Sequence, residues 1–186
     1  MAKKMTQKKL TVGEMVEGEG IFVGTWEPEA RGVSLRKKFN VFAAPADLND
    51  DAGNRAGWTY QGARDRIAGL KNWHGHDGSK HANEAALIKA MDDGKYKGGW
   101  VIPPSAVLSS MICDQRDKGQ LKDTFAKTTY EPPYTRADYW SSSEQRFQGE
   151  AMVWAALINL PQVGTLHGKG NQNFCRPVRF AEIRKK

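Results

Sequence analysis

Four groups of residues in this chain have types and spacings that could do chemistry. His74-Gly75-His76-Asp77, with His81 close behind, offers three imidazoles and a carboxylate, a set that could hold Zn²⁺. Glycine on both sides of it suits a solvated surface loop equally, and no helix-borne metalloprotease pattern accompanies it. Cys175 precedes Arg176, whose charge could activate a thiolate, but an apolar strand also buries a thiol for packing. Ser141, Ser142 and Ser143 lie outside any G-x-S-x-G elbow and have no neighbouring histidine, so a hydrolase reading finds no support. The fourth group is the stretch 159–173, rich in amides and glycine, where Gln162, Thr165, His167, Lys169, Asn171, Gln172 and Asn173 could meet sugar hydroxyls or a protein surface. A polar hairpin facing solvent would have the same composition. The stretch contains no Asp or Glu, which argues against a calcium site of the lectin type there. No catalytic residue, resident metal or cofactor is assigned.

These groups must be positioned by a body of 186 residues, a length that suits one domain. Hydrophobic residues at 39% and aromatic residues at 10% exclude a disordered chain, and 19 Gly with 8 Pro favour turns over a helical bundle. No apolar run approaches the roughly 18–20 residues of a membrane span, and the first ten residues lack a signal-peptide core, so secretory export is not expected. The net charge is +7, but residues 1–10 and 176–186 each carry +4, which leaves −1 for the body. Without a basic face on the folded part, nucleic acid is not expected as the ligand. Basic ends serve as solubilising arms or docking segments.

Residues 1–19 read as an N-terminal arm and 20–186 as a single domain with an N-terminal β-hairpin extension. Strands are predicted over 20–26 and 39–44, with a charged hairpin-like loop between them and a polar loop at 46–57. Helical spacing follows: Thr59 can cap a helix carrying Ala63, Ile67 and Leu70, and Asn83 one carrying Leu87, Ile88 and Met91. Pro104-Ser105 opens a third through Leu108 and Ile112. Residues 98–103 give a turn and a short buried strand, and 114–137 an extended surface loop. Strands return over 139–142, 151–158, 163–166 and 174–180. Strands, then helices, then strands predict an α+β fold whose antiparallel sheet joins the two ends.

Three pieces occur in order: Gly98-Gly99-Trp100-Val101-Ile102-Pro103, Tyr139-Trp140-Ser141-Ser142-Ser143-Glu144 and Cys175-Arg176-Pro177-Val178-Arg179, with Ala151-Met152-Val153-Trp154 between the last two. This set resembles the C-terminal ligand-binding domain of bacterial collagen-like adhesins, over residues ~60–180 by order and spacing. That family resembles the C-type lectin fold, as do the variable receptor-binding proteins of phage diversity-generating systems. The resemblance implies a C-type lectin-like fold: twisted antiparallel sheets, two or three helices and long surface loops. It also implies a non-enzymatic binding or structural module, with ligands meeting the loops 114–137, 145–150 and 159–173. The formylglycine-generating oxidases share a distantly related fold, but their paired cysteines have no counterpart here.

The motif residues themselves read as fold-holding. Trp140 is expected in a core with Trp100 and Trp154, and Trp140→Ala to cost ~3–5 kcal/mol. Tyr139 faces the other way, and the serines, Ser141 among them, bond to loop backbone. Glu144 is expected to receive Arg176 or Arg179, and Pro177 marks an edge or a bulge. Changes over 162–172 are expected to leave stability nearly unaltered. The setting expected is a phage or prophage virion, as tail, fibre tip or head decoration, binding a host-surface glycan or protein through the C-terminal loops. The N-terminal arm would meet other virion subunits, and homo-oligomers are expected by symmetry. The alternatives are an intracellular metal-dependent enzyme using the His74/His76 loop and a bacterial adhesin domain.

Overall fold

The computed structural model describes residues 9–30, 32–49, 53, 56–126, 137–157 and 164–183. The described chain is α+β. Its element order is β1 (Met15–Val16), β2 (Gly20–Trp26), β3 (Glu29–Ala30), β4 (Val33–Ser34), β5 (Phe39–Ala43), α1 (Tyr60–Gly69), α2 (Glu84–Asp92), α3 (Ser105–Val107), β6 (Asp138–Phe147), β7 (Glu150–Leu157), β8 (Gly164–His167) and β9 (Val178–Glu182). α3 runs straight on into a wide π-type turn of helix over Leu108–Cys113. The sheets are antiparallel: β1-β2-β5-β9, the short β3-β4 hairpin, and β6-β7-β8. Among the described residues no helix is long and apolar enough to cross a membrane.

The first sheet joins the two ends of the chain. β9 lies against β5, with Val41 opposite Phe180 and Ala43 opposite Val178. Pro177 comes just before β9 and keeps its backbone N–H-free position off the ladder, while its carbonyl accepts from Ala44 N at 2.9 Å. β9 therefore starts later than the expected 174–180. The expected arm over 1–19 also changes: residues 1–8 lie outside the described residues, but from Gly13 onward the chain is part of the sheet. Gly13 N donates to Phe22 O at 2.8 Å, and Met15 pairs with Ile21.

The helices form where capping and apolar spacing place them. Thr59 Oγ1 accepts from Gly62 N at 3.1 Å, and α1 buries Tyr60, Ala63 and Ile67. Asn83 Oδ1 accepts from Ala86 N at 3.0 Å, and α2 buries Leu87, Ile88 and Met91.

Two apolar cores result, and β6 runs between them. Tyr139 belongs to the core built on the first sheet, with Ile21, Val41, Ile112 and Phe180. Trp140, its neighbour, belongs to the second core, with Tyr60, Ile67, Trp100 and Cys175. The alternation of a strand sends the two rings to opposite sides, and both are fully buried. Trp100 and Trp140 are the expected anchors. Their indole N–H groups donate to the carbonyls of Trp73 and Trp58, each at 2.7 Å, so neither buries an unsatisfied donor. Trp154 departs from the expectation: it is half-buried and lies outside both cores.

The expected surface loop at 114–137 is partly interior. In its described part, Leu121, Phe125 and Ala126 are buried in the first core, because apolar residues there pack beneath the polar ones that dominate the composition. Residues 127–136 lie outside the described residues.

Candidate functional site

The three serines after Trp140 make a bulge in β6. Trp140 pairs with Ala155 and Glu144 with Val153, so three residues of β6 face Trp154 alone. The bulged residues bond to β7, to the 98–103 stretch and to α3, while the Ser142 hydroxyl has no hydrogen-bond partner among the described residues. Ser141 Oγ donates to Trp154 O at 2.7 Å, and Ser142 N donates to Pro103 O at 2.7 Å. Ser143 Oγ accepts from Ser105 N at 2.8 Å and donates to the Glu84 carboxylate. The bulge thus satisfies the first N–H of α3 and fixes where that helix starts. In place of the expected bonding to loop backbone, Ser141 reaches strand backbone, Ser143 a helix N–H and a carboxylate, and Ser142 bonds the 98–103 stretch through its backbone N–H only.

The arginines after Cys175 take other partners than Glu144. Arg176 is fully buried; its Nε donates to Asp47 Oδ1 at 2.7 Å, and the remaining donors reach Ala44 O, Thr124 Oγ1 and Thr124 O. Its guanidinium also lies 4.1 Å over the Phe125 ring. Asp47 Oδ2 accepts from Tyr139 Oη at 2.7 Å, and Tyr139 Oη accepts from Ala126 N. Arg179 pairs with Glu19, and burial lowers its pKa to about 10, so it stays charged at neutral pH. Glu144 instead accepts from Lys169 Nζ at 2.6 Å and Asn83 Nδ2 at 2.8 Å. A carboxylate near the surface meets a flexible lysine readily, whereas a buried guanidinium needs a carboxylate buried with it. The sequence gives Asp47 no special mark: it stands in a polar run after Pro45.

The C-terminal stretch, expected to be a tolerant ligand loop, is half structural. His167 Nδ1 accepts from Asn173 Nδ2 at 2.9 Å, which puts the imidazole proton on Nε2. Nε2 lies 2.9 Å from Thr165 Oγ1 and 3.5 Å from Asp138, and the ring stands edge-on to Trp140 at 6.0 Å. A protonated Nε2 cannot take the Thr165 proton, so this is no nucleophile-and-base pair. Asn173 is buried and exchanges backbone hydrogen bonds with Trp58. Asn171 and Gln172 are exposed; Lys169 reaches Glu144 and lies 5.7 Å over the Tyr60 ring. Gln162 lies outside the described residues. The expectation that changes over 162–172 leave stability unaltered therefore fails at His167, whose side chain is wedged between the sheet and the second core.

The histidines of the other loop have separate partners. The His74 ring lies tilted against Trp73 with centroids 4.5 Å apart, His76 Nε2 lies 4.0 Å from Glu19, and His81 Nε2 lies 3.0 Å from Ser79 Oγ. Burial lowers the pKa of His74, and burial with the nearby Arg64 charge lowers that of His81. Among the described residues no group of three or more His, Cys, Asp or Glu is placed to hold a metal ion. Both cysteines are free and buried; burial raises the Cys175 thiol and pushes Cys113 up to about 12. Thiols held protonated in this way are poor nucleophiles.

Sequence reasoning missed a groove of ligand-site dimensions beside Trp154. A groove of about 470 Å³ runs between the helical stretch 105–113 and strands β7 and β8. Leu108, Ala155 and Ala156 form an apolar floor and Trp154 a wall; Ser109 and Ser110 stand exposed along the helical side. The volume is in the range of small-molecule sites. The π-type turn widens this helix at the groove, a distortion often found at functional sites. Gly164 lets β8 come close: a Cβ there would lie 3.2 Å from Trp154 Cε3. Trp154 directly follows the core residue Val153 in β7, so strand alternation turns its ring to the other side, where the β6 bulge faces it.

Compared with known proteins, the chain matches no family model and no curated protein sequence.

Proposed function

We propose that this chain is a non-enzymatic ligand-binding module on a C-type lectin-like frame, and that the groove beside Trp154 is where its ligand sits. The observation that carries the reading is a half-buried tryptophan walling a groove of about 470 Å³ with hydroxyls along one side. Groups that could bind by stacking and hydrogen bonding converge there, on rigid elements. The lectin-like frame is supported by the pairing of the first sheet across both ends of the chain, by Trp100 and Trp140 as buried anchors, and by the order of the motif pieces. Binding rather than catalysis is favoured by the state of the reactive groups: both thiols are kept protonated, and both ring nitrogens of His167 are taken up by Asn173 and Thr165.

The ligand proposed is a host-surface glycan or protein, and the setting proposed is a phage or prophage particle. The C-type lectin-like fold implied by the resemblance to collagen-like adhesin domains is shared by receptor-binding proteins of phage diversity-generating systems, which supports that setting. The test has two parts. Purified protein labelled with a fluorophore is applied to host cells, wild type beside Trp154→Ala; adsorption that needs Trp154 supports the reading, and equal adsorption by both removes the groove from it. Co-sedimentation with particles tests the setting, and its failure moves the module to a cell-borne adhesin.

A further inference from the structure

Most of the hydroxyls along the groove have their proton committed. Ser109 Oγ donates its proton to Ser105 O at 2.8 Å, and Ser110 Oγ donates to Ala106 O. Ser141 Oγ, at the base, donates to Trp154 O. A hydroxyl whose only proton is committed to the backbone can still accept through its lone pairs, but it has nothing left to give. The charged side chain among the lining residues is Asp114, which also only accepts. The groove therefore offers mostly acceptors, with the Ser105 hydroxyl and the Trp154 indole N–H as donors among its lining, together with an apolar floor and an aromatic wall.

We infer that the groove binds an uncharged sugar ring, without a metal ion, and rejects anionic sugars. This inference rests on the proposed binding role of the groove and narrows it to a ligand class. A pyranose has several O–H donors around its edge, which match Ser109, Ser110 and Asp114, and a face of C–H groups that suits an indole. A carboxylate or sulfate brings a negative charge to Asp114 and finds no cationic side chain in the lining, so the Ser105 and Trp154 donors alone must offset its desolvation and the repulsion. Calcium-mediated sugar binding needs several oxygen ligands with converging negative charge, and the lining has one carboxylate.

The experiment is titration of the intact chain, in excess chelator, with neutral monosaccharides and N-acetylhexosamines on one side and sialic and glucuronic acids on the other, read by tryptophan fluorescence and calorimetry. The result expected is saturable binding of at least one neutral sugar, no binding of the acids, and a loss of at least about tenfold in Trp154→Ala, as removal of an aromatic stack gives. A second variant, Ser109→Trp, fills the groove from the exposed face of the helix and should abolish binding with the thermal transition unchanged. Binding of the acids in preference to neutral sugars, or binding that disappears with chelator, overturns the inference. Its failure is separable from that of the groove itself. If Ser109→Trp blocks adsorption to host cells while no neutral sugar binds or competes, the groove stands and the sugar class falls. If a neutral sugar binds equally to wild type and both variants, the groove is not its seat and the inference falls with the wider reading.

Discussion

Asp47 shows how much of this protein hangs on one side chain. Its two oxygens hold Arg176 and Tyr139, and both partners are fully buried. Asp47→Ala leaves a buried guanidinium without its counter-charge, a loss of ~3–5 kcal/mol, or a fall of roughly 10 °C in Tm. The double variant Asp47→Ala/Arg176→Met should be less destabilised than Asp47→Ala alone, since it removes the orphaned charge; a thermal melt of each decides it. A second prediction concerns acid. The His81 pKa is lowered by burial and by Arg64, so the unfolded chain binds this proton more readily than the folded one. Stability then rises with pH between the lowered value and the ordinary histidine value near about 6.5, and is lost as pH falls through that window. His81→Gln should flatten the change in Tm between about pH 7.5 and about pH 5.5. A second lowered histidine, His74, would leave a residual slope that the double variant with His74→Gln removes. The carboxylates with lowered pKa, Asp65, Asp93 and Glu144, act in a separate window near the ordinary carboxylate range and below. Asp47 was not legible in the sequence for a plain reason: its partner lies 129 residues away, and nothing local distinguishes a buried carboxylate in a polar run from a solvated one.

The elements themselves were far more legible, because their signals are local. Thr59 and Asn83 announce α1 and α2 through bonds spanning three residues, and the apolar spacing behind them faces the second core in α1 and the first in α2. The strands were readable for the same reason, except where a tertiary partner intervened. The serine bulge in β6 and the π-type turn after α3 depend on each other through Ser143 and Ser105, and no local pattern encodes that pair. The junction between α1 and the His loop makes a sharp prediction at this scale. A Cβ on Gly78 would lie 1.6 Å from the Ile67 carbonyl oxygen, so the loop can pass the end of α1 only as glycine. Gly78 also pairs with Trp100 in a parallel bridge, so a shift there disturbs a core anchor. Gly78→Ala should abolish soluble expression or lower Tm more than any other glycine-to-alanine change in the loops. Gly170→Ala, with nothing within 4 Å of the added carbon, is the control and should leave Tm unchanged.

At the scale of the molecule, the two cores share backbone at several places, Ala43–Ala44, Trp100–Val101 and Ala155–Ala156 among them. β6 carries Tyr139 into one and Trp140 into the other, and the chain from Cys175 to Val178 passes from the second core into the first. Neither core can lose its packing while that shared backbone stays in register, because a strand slipped by one residue would exchange the two rings. The molecule should therefore unfold as one unit even though its apolar residues fall into two groups. The measurement is urea unfolding followed by two probes: far-ultraviolet circular dichroism for the whole, and tryptophan fluorescence, weighted to the second core by Trp100 and Trp140. The two curves should coincide. A cavity in the first core, Phe180→Ala, and one in the second, Ile67→Ala, should each shift both curves together by the same midpoint change, each at ~2–5 kcal/mol. Fluorescence that moves alone in Ile67→Ala would mean that the second core melts by itself. The groove beside Trp154, which leans on β7 across the bulge, would then rest on a part that opens separately, and binding and stability would have to be measured as linked quantities.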